Sequence, residues 1–367
     1  MAGLWADPLR GHYDLTSRFD FSARAQNVTL AVVTETVPSF TVLIAARPGQ
    51  AEIKAVDAAR KLDYPPDRLE ILVARGKQPS VQRNAALRAA RGELVYFLDD
   101  DSVPQAGNLR VAIRHFSDPQ VKMLGGPNLC PADAPALEKI FALVLAAKLA
   151  FGPSRARYTP VGTVRPTSEK ELILCNLVAR RDAMLELGGF NEKLYPNEEN
   201  ALMDELQKRG GKLLYDPDFI VDRRPRSNLK SFMKMLITYG RGRAEQFRVH
   251  PTFGSALNFV PPLFDAYLLF LACFLLLIGL GAIHVAPIFV YVGVAPLVLY
   301  GAIVLAQVAA LIPGAGVAHS VGALPLIVLT HVLYGVGFWR GLLTPLKHGR
   351  KDDGEPPMKV VLEHVPV

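Results

Sequence analysis

Hydrophobic positions fall along this chain in two different ways, and the change between them divides it. From Phe40 to about Arg226, short unbroken apolar runs alternate with stretches whose apolar residues recur at helical spacing. FTVLIAA (Phe40–Ala46) has strand length, and after Pro48 and Gly49 the series Ile53, Val56, Ala59 and Leu62 predicts a helix. LEILVA (Leu69–Ala74) predicts a second strand and LVYFL (Leu94–Leu98) a third. Between them VQRNAALRAARG (Val81–Gly92) predicts a helix stopped by a left-handed Gly92. Further strands are predicted at Val121–Leu124, Glu171–Ala179 and Lys212–Tyr215, and helices at Ala136–Ala150, Arg181–Leu187 and Glu199–Arg209, the last two punctuated by Gly188 and Gly210. The alternation predicts an α/β domain over residues 40–226 on a mostly parallel sheet covered on both faces. Ligands belong at the carboxyl ends of such strands, because the loops that leave them converge there.

From Asn228 the pattern changes. Leu229, Phe232, Met233 and Leu236 share one helical face with Lys230 and Lys234 opposite, so residues 227–250 read as an amphipathic helix and basic stretch at a membrane surface. The same face would also serve for packing against the α/β domain. Between Asp265 and Arg340 lie 74 residues without Asp, Glu, Lys or Arg. At about 20 residues per crossing, residues 262–343 predict about three membrane helices, parted at His284–Pro287 and around Pro313–Gly316. Three crossings set the basic tail (residues 344–367, with Lys347, Arg350 and Lys351) opposite the basic stretch Arg223–Arg248, against the positive-inside rule. A re-entrant segment, a shallow one, or a charge rule overruled would each remove the conflict.

Composition narrows the class. With 367 residues, 50% hydrophobic and 20% charged, the chain is neither disordered nor a small disulfide-stapled fold. The net charge of +7 is gathered before the apolar block, where it suits a lipid surface, and no nucleic-acid motif accompanies it. Cys130, Cys175 and Cys273 are an odd, widely spaced set that reads as buried thiols in a reducing compartment rather than a zinc site. Residues 1–39 carry no motif, and their start lacks the basic and apolar regions of a signal peptide. The α/β domain is therefore expected on the cytoplasmic face of a multi-pass inner-membrane protein.

Three clusters carry candidate chemistry. FLDDDS (Phe97–Ser102) sets Asp99, Asp100 and Asp101 where an apolar strand meets a loop. Adjacent carboxylates repel, and Mg²⁺ or Mn²⁺ relieves that by taking one or two of them together with substrate phosphates. Gln82, Arg83 and Asn84 open the helix leading back to this strand, where an arginine and an amide suit phosphate or ribose, and Arg47 follows the first strand. YPNEENALMDEL (Tyr195–Leu206) opens a helix with Glu198 and Glu199. Acids there satisfy the helix dipole with no further role, or one deprotonates an acceptor hydroxyl.

In this order, the strand ending in Ala46 and Arg47, RNAALRAARGELVYFLDDD, GGPN (Gly125–Asn128), CNLVARRDAMLELGGF (Cys175–Phe190), YPNEEN and YDPD (Tyr215–Asp218) resemble family 2 glycosyltransferases of the GT-A fold. The likeness is strongest to membrane-attached members that build exopolysaccharide or lipid-linked glycans. The resemblance implies inverting transfer from a nucleotide-diphosphate sugar, UDP-linked, to a lipid-linked acceptor. Asp99 and Asp101 take the positions of the DxD motif, Asp99 toward the nucleoside and Asp101 on Mg²⁺ or Mn²⁺, with Asp100 between. Arg47, Arg83 and Asn84 fall on the donor side. The base position of the family's Glu-Asp pair is Glu199, after Glu198. Three departures stand out. LVARGKQPS lacks the Asp-rich turn that contacts the base. Arg223 or Arg224 stands where many relatives have a histidine near the metal, which implies a diphosphate or acceptor-side role for Arg223, Arg224 and Arg226. QxxRW is absent, which implies single additions rather than polymer synthesis.

Two alternatives share these residues. One is a polyprenol-phosphate sugar synthase, whose acceptor is already ionised. The other is a membrane scaffold that no longer turns over. A transporter is disfavoured, since His284, His319 and His331 are isolated in the apolar block.

Overall fold

The computed structural model describes residues 37–192, 198–249, 251, 253–346 and 359–367. Outside these fall residues 1–36 of the expected extension, Tyr195, Pro196 and Asn197 of the acidic motif, and the basic Lys347, Arg350 and Lys351.

The α/β region runs β1 (Phe40–Ala46), α1 (Lys54–Ala59), β2 (Leu69–Arg75), α2 (Pro79–Ala89), β3 (Leu94–Asp99), β4 (Val103–Pro104), α3 (Asn108–Phe116), β5 (Val121–Gly125) and β6 (Asn128–Leu129). It continues with α4 (Ala136–Ala146), α5 (Lys148–Phe151), β7 (Arg165–Pro166), β8 (Asn176–Arg180), α6 (Arg181–Glu186), α7 (Glu198–Lys208), β9 (Lys212–Tyr215) and β10 (Val221–Asp222). Then come α8 (Leu229–Val249), α9 (Val260–Gly279), α10 (Pro287–Leu343) and β11 (Val361–Val365).

Eight strands form the main sheet in the order β11-β2-β1-β3-β8-β5-β9-β7, and β4-β10-β6 form a small second sheet. The main sheet is mixed rather than mostly parallel. β1 pairs in parallel with β2 and β3, and β5 with β9, whereas β8 runs antiparallel to both β3 and β5, as do β11 to β2 and β7 to β9. β1 shows why an unbroken apolar run sits at the centre. Phe40, Val42 and Ile44 face Ile53, Leu62 and Leu109 on one side, while Leu43 faces Leu87, Phe97 and Met203 on the other. Burying each such side chain contributes about 1.5–3 kcal/mol.

Several boundaries differ from expectation. Gly92 is not a left-handed stop, since α2 ends at Ala89. A Cβ there would lie 2.4 Å from the Thr41 nitrogen, so glycine serves the close approach of two backbones. Gly188 and Gly210 do adopt positive φ, as expected. The helix predicted over Ala136–Ala150 breaks at Ala147, which is extended (φ −72°, ψ 129°). Only Asn176–Arg180 of the long run from Glu171 is strand.

The apolar block contains two helices long and apolar enough to cross a membrane, within Ala256–Gly279 and Pro287–Leu343. The second is interrupted at Gly316, whose φ of 76° and ψ of 164° end helical geometry three residues after Pro313. The expected amphipathic helix exists as α8, but protein covers its apolar stripe beyond the exposed Leu229. Phe232, Met235 and Leu236 share a buried cluster with Phe141, Val144 and Leu145 of α4 and with Ala323, Leu326 and Ile327 of α10. The Phe141 and Phe232 rings stack at 4.3 Å.

Candidate active site

The site assembles where β3 ends. β1 and β3 run side by side up to Ala45 opposite Asp99, and α2 returns beneath them. Gln82 holds this junction, because its amide nitrogen donates to the carbonyls of Ala46 (2.7 Å) and Ala74 (2.6 Å) and so ties the ends of β1 and β2. Its neighbour Arg83 reaches two of the acidic motifs. One guanidinium nitrogen lies 3.0 Å from Asp99 Oδ1 and another 3.5 Å from Glu198 Oε1. Residues far apart in sequence therefore share one cation.

A second arginine meets the same acids from the other side. β10 pairs antiparallel with β4, setting Asp222 opposite Val103, so the next residue arrives beside the acidic loop. Arg223 Nε lies 2.6 Å from Asp101 Oδ1, and its Nη2 lies 3.1 Å from Asp99 Oδ2. Burial alone would raise the Asp99 carboxyl, but Arg223 and Arg83 outweigh it and hold it below the usual carboxylate value. Burial opposes the charge on Arg223 as well, and the carboxylates of Asp99 and Asp101 overcome it, so the guanidinium stays protonated. Burial pushes the Cys175 thiol up to about 11, as an inert buried thiol requires, whereas Cys130 is half-buried and Cys273 exposed, so the expectation of buried thiols holds for Cys175 alone.

The other candidates separate. Asn84 spends its amide on the turn after α6, donating to the Phe190 carbonyl (2.8 Å) and Glu192 Oε1 (2.9 Å) and accepting from Phe190 N (2.8 Å). Gly189 permits this at φ +80°, where a Cβ would fall 2.4 Å from Asn84 Oδ1. Asn84 therefore positions the turn leading toward the Glu198 motif. Arg224 makes a bidentate pair with Glu138 (2.7 and 2.8 Å), tying the loop after β10 to α4. Arg226 and Arg47 are exposed, and Asp100 is half-buried beside its two neighbours. Glu198 is 3% exposed, whereas Glu199 is half-buried within electrostatic range of Arg243 on α8.

Beside Asp101 lies a cavity of about 260 Å³ lined by Arg223, Arg226, Tyr158, Tyr239, Leu145 and Met235, among others. It joins the acidic loop to α4 and α8. Tyr158 and Tyr239 on its wall, and Glu138 paired with Arg224, carry no motif, and only the pairing of distant elements brings them to this end of the sheet. An acid in the first turn of a helix, as Glu138 is, was the one available signal.

The donor set does not fit a divalent cation as it stands. The Asp99 and Asp101 oxygens that would converge on an ion converge on Arg223. Among the described residues, no group of three His, Cys, Asp or Glu is gathered to hold a metal ion.

Comparison with known proteins places this geometry. Residues 23–237, more than half of the chain, match the family described as glycosyltransferase like family 2. The chain is 28% identical over 177 residues to a pre-mycofactocin glycosyltransferase of Mycobacterium tuberculosis, a match that covers 48% of this chain and 36% of that protein. Among solved structures, a mannosyltransferase from Pyrobaculum calidifontis in complex with GDP-Man and Mn²⁺ is similar at 18% identity and a TM-score of 0.46, covering 83% of this chain and 87% of that one. TarS of S. aureus is similar at 13% identity and a TM-score of 0.39, covering 59% and 44%.

Proposed function

Because the chain belongs to glycosyltransferase family 2 and is a transferase with a GT-A-class α/β domain, we propose that it moves a sugar from a nucleotide-diphosphate donor, UDP-linked, to a lipid-borne hydroxyl at a membrane, one sugar per event. The observation that carries this reading is the Arg83 bridge, which gathers Asp99 and Glu198 at the carboxyl end of β3. Donor and acceptor chemistry need one shared locus, and that bridge supports one.

The reaction inverts the anomeric centre. The acceptor oxygen attacks the anomeric carbon opposite the diphosphate, the glycosidic bond to the diphosphate breaks with its electron pair, and a carboxylate takes the acceptor proton. Glu199 is that base. Glu198 is buried against Arg83, which suits a positioning role, whereas Glu199 is half-buried and accessible to a hydroxyl. Arg226 on the cavity wall and Arg47 at the end of β1 attract the donor's phosphates. The Mg²⁺ or Mn²⁺ that the resemblance implies enters no step, since Arg223 engages its expected ligands.

Membrane attachment belongs to the proposal, with the α/β domain facing the cytoplasm. β11 pairs with β2, so the chain on both sides of the apolar block belongs to one sheet, which supports an even number of crossings. Two are made by α9, about 30 Å long at 1.5 Å per residue, and by the part of α10 before Gly316. The part after Gly316 lies along α8, where Gly240 meets the Tyr334 carbonyl and Gly337 the Ile237 carbonyl. Arg340 then shares the side of Arg223–Arg248, in keeping with the positive-inside rule. Single cysteines at His284 and Val361 should label from opposite faces of sealed vesicles; labelling from one face overturns the two-crossing arrangement.

One observation favours a second reading. Arg223 and Arg226 meet Leu145 and Met235 in the same cavity, a combination that suits an acceptor with an anionic head and an apolar tail, such as a polyprenyl phosphate. Nucleotide release by purified protein in lipid extract, over a panel of nucleotide sugars, tests the function. Glu199→Gln should lower the rate 10²–10⁴-fold for a hydroxyl acceptor and little for a phosphate, which needs no base. The absence of release with every donor tested, in membranes that supply acceptor, overturns both and leaves the scaffold.

A further inference from the structure

We propose that Arg223 is the resident cation of the donor site, filling the position of a divalent metal, so that the donor's diphosphate binds and departs on a guanidinium. The inference rests on the donor reading above.

Geometry carries it. A hard divalent ion needs carboxylate lone pairs aimed at a common point, with its other positions left to phosphate and water. Here the lone pairs of Asp99 Oδ2 and Asp101 Oδ1 meet at the Arg223 guanidinium, at 3.1 and 2.6 Å. Asp99 Oδ1 is not spare either, for it belongs to Arg83. The backbone fixes the arrangement. Arg223 N donates to the Leu129 carbonyl (2.8 Å), and β10 is held between β4 and β6, so the side chain is delivered by strand register rather than by a mobile loop. A guanidinium also carries five N–H donors in a planar fork. Two are spent on the acids, which leaves donors for phosphate oxygens on the side toward the cavity that Arg223 and Arg226 both line.

The chemistry balances without a further reactant. As the acceptor oxygen bonds to the anomeric carbon and loses its proton to Glu199, the bond from that carbon to the diphosphate oxygen breaks and its electron pair stays on the diphosphate. Arg223 neutralises that growing charge by hydrogen bonds already oriented before the reaction, the arrangement in which a fixed cation is most effective. It keeps its own proton throughout, because the carboxylates of Asp99 and Asp101 outweigh the burial that opposes its charge. The resemblance sets a metal-side histidine at Arg223 or Arg224, and Arg224 is committed to Glu138, so an arginine at Arg223 would account for both the lost ligand and the gained charge.

The test is UDP and GDP binding to the full chain in detergent, by calorimetry, in EDTA and in Mn²⁺, with the free Mn²⁺ spectrum followed by electron paramagnetic resonance. The expected result is nucleotide binding that changes less than twofold between EDTA and Mn²⁺, with no stoichiometric loss of the free Mn²⁺ signal. Arg223→His should weaken binding at least tenfold in EDTA and regain it in Mn²⁺, since imidazole restores a ligand. Wild-type binding that requires Mn²⁺, with one ion taken up per chain, overturns the proposal and leaves the transferase reading intact. Binding of neither nucleotide under either condition overturns the donor reading and this proposal with it.

Discussion

At the carboxyl end of β3, contact is made by long side chains reaching across the fold. Arg83 joins Asp99 to Glu198, Arg223 joins Asp99 to Asp101, and Arg224 joins the loop after β10 to Glu138. Between α8 and α10, contact is made by the absence of side chains. A Cβ on Gly240 would lie 2.0 Å from the Tyr334 carbonyl oxygen, one on Gly337 2.2 Å from that of Ile237, and one on Gly341 2.5 Å from that of Arg241. Ion pairs can be exchanged for a charged ligand and formed again, whereas backbone packed on backbone has no second arrangement. The first region is therefore suited to turnover and the second to holding the platform on which turnover happens.

The largest effect should come from removing a shared cation. Arg83→Met leaves Asp99 and Glu198 without the guanidinium between them, and breaking a pair this buried costs about 3–5 kcal/mol. Thermal unfolding in one detergent measures it. A loss under about 1 kcal/mol, the scale of exposed pairs, would mean that the two acids do not depend on Arg83. Next is the helical seam. Gly337→Val must push α8 from α10 and should cost about 1–3 kcal/mol or more by overpacking. Gly301→Ala is the control, because a Cβ there meets nothing within 4 Å, and its effect should stay within about 0.5 kcal/mol. Equal effects at the two glycines would remove the distinction between the regions.

How much of this was legible depends on whether the cause is local. β1, β2 and β3 are apolar on both faces, and that alone marks them as central. The break at Gly316 follows from Pro313 and a cluster of glycines, and the acidic loop follows from three adjacent carboxylates at a strand end. The strands β4, β6, β7 and β10 are two residues long and carry no period, so nothing in the sequence announces them. Yet β10 is what delivers Arg223. The direction of β8 was equally hidden, because a buried strand reads the same in either direction. β11 lies 286 residues from β2 in register, Val361 against Arg75, and its pairing bears on the membrane conflict that residue patterns alone left open. Arg83, Asp99, Asp101 and Glu198 were each visible as candidates. That Arg83 and Arg223 meet these acids was not, since it depends on distances between elements.

The smallest effect should be an acid dependence confined to the first region. Asp216 is buried after β9, where burial raises its carboxyl, but the 2.7 Å contact with His115 Nε2 and the 2.9 Å bond from Asp218 N bring it below the usual carboxylate value. A carboxylate whose folded pKa lies below the unfolded one binds fewer protons when folded, so it stabilises above the unfolded value of about 3.9. That contribution is lost as pH falls through the lowered folded value. The stability deficit of Asp216→Asn should accordingly shrink as the pH falls below about 4. The deficit of Gly337→Val should not change over the same range, since no ionisable group enters its cost. If acid narrowed both deficits together, the helical seam would depend on the ion pairs at the sheet end, and the two regions would be one cooperative unit rather than an exchangeable site on a fixed support.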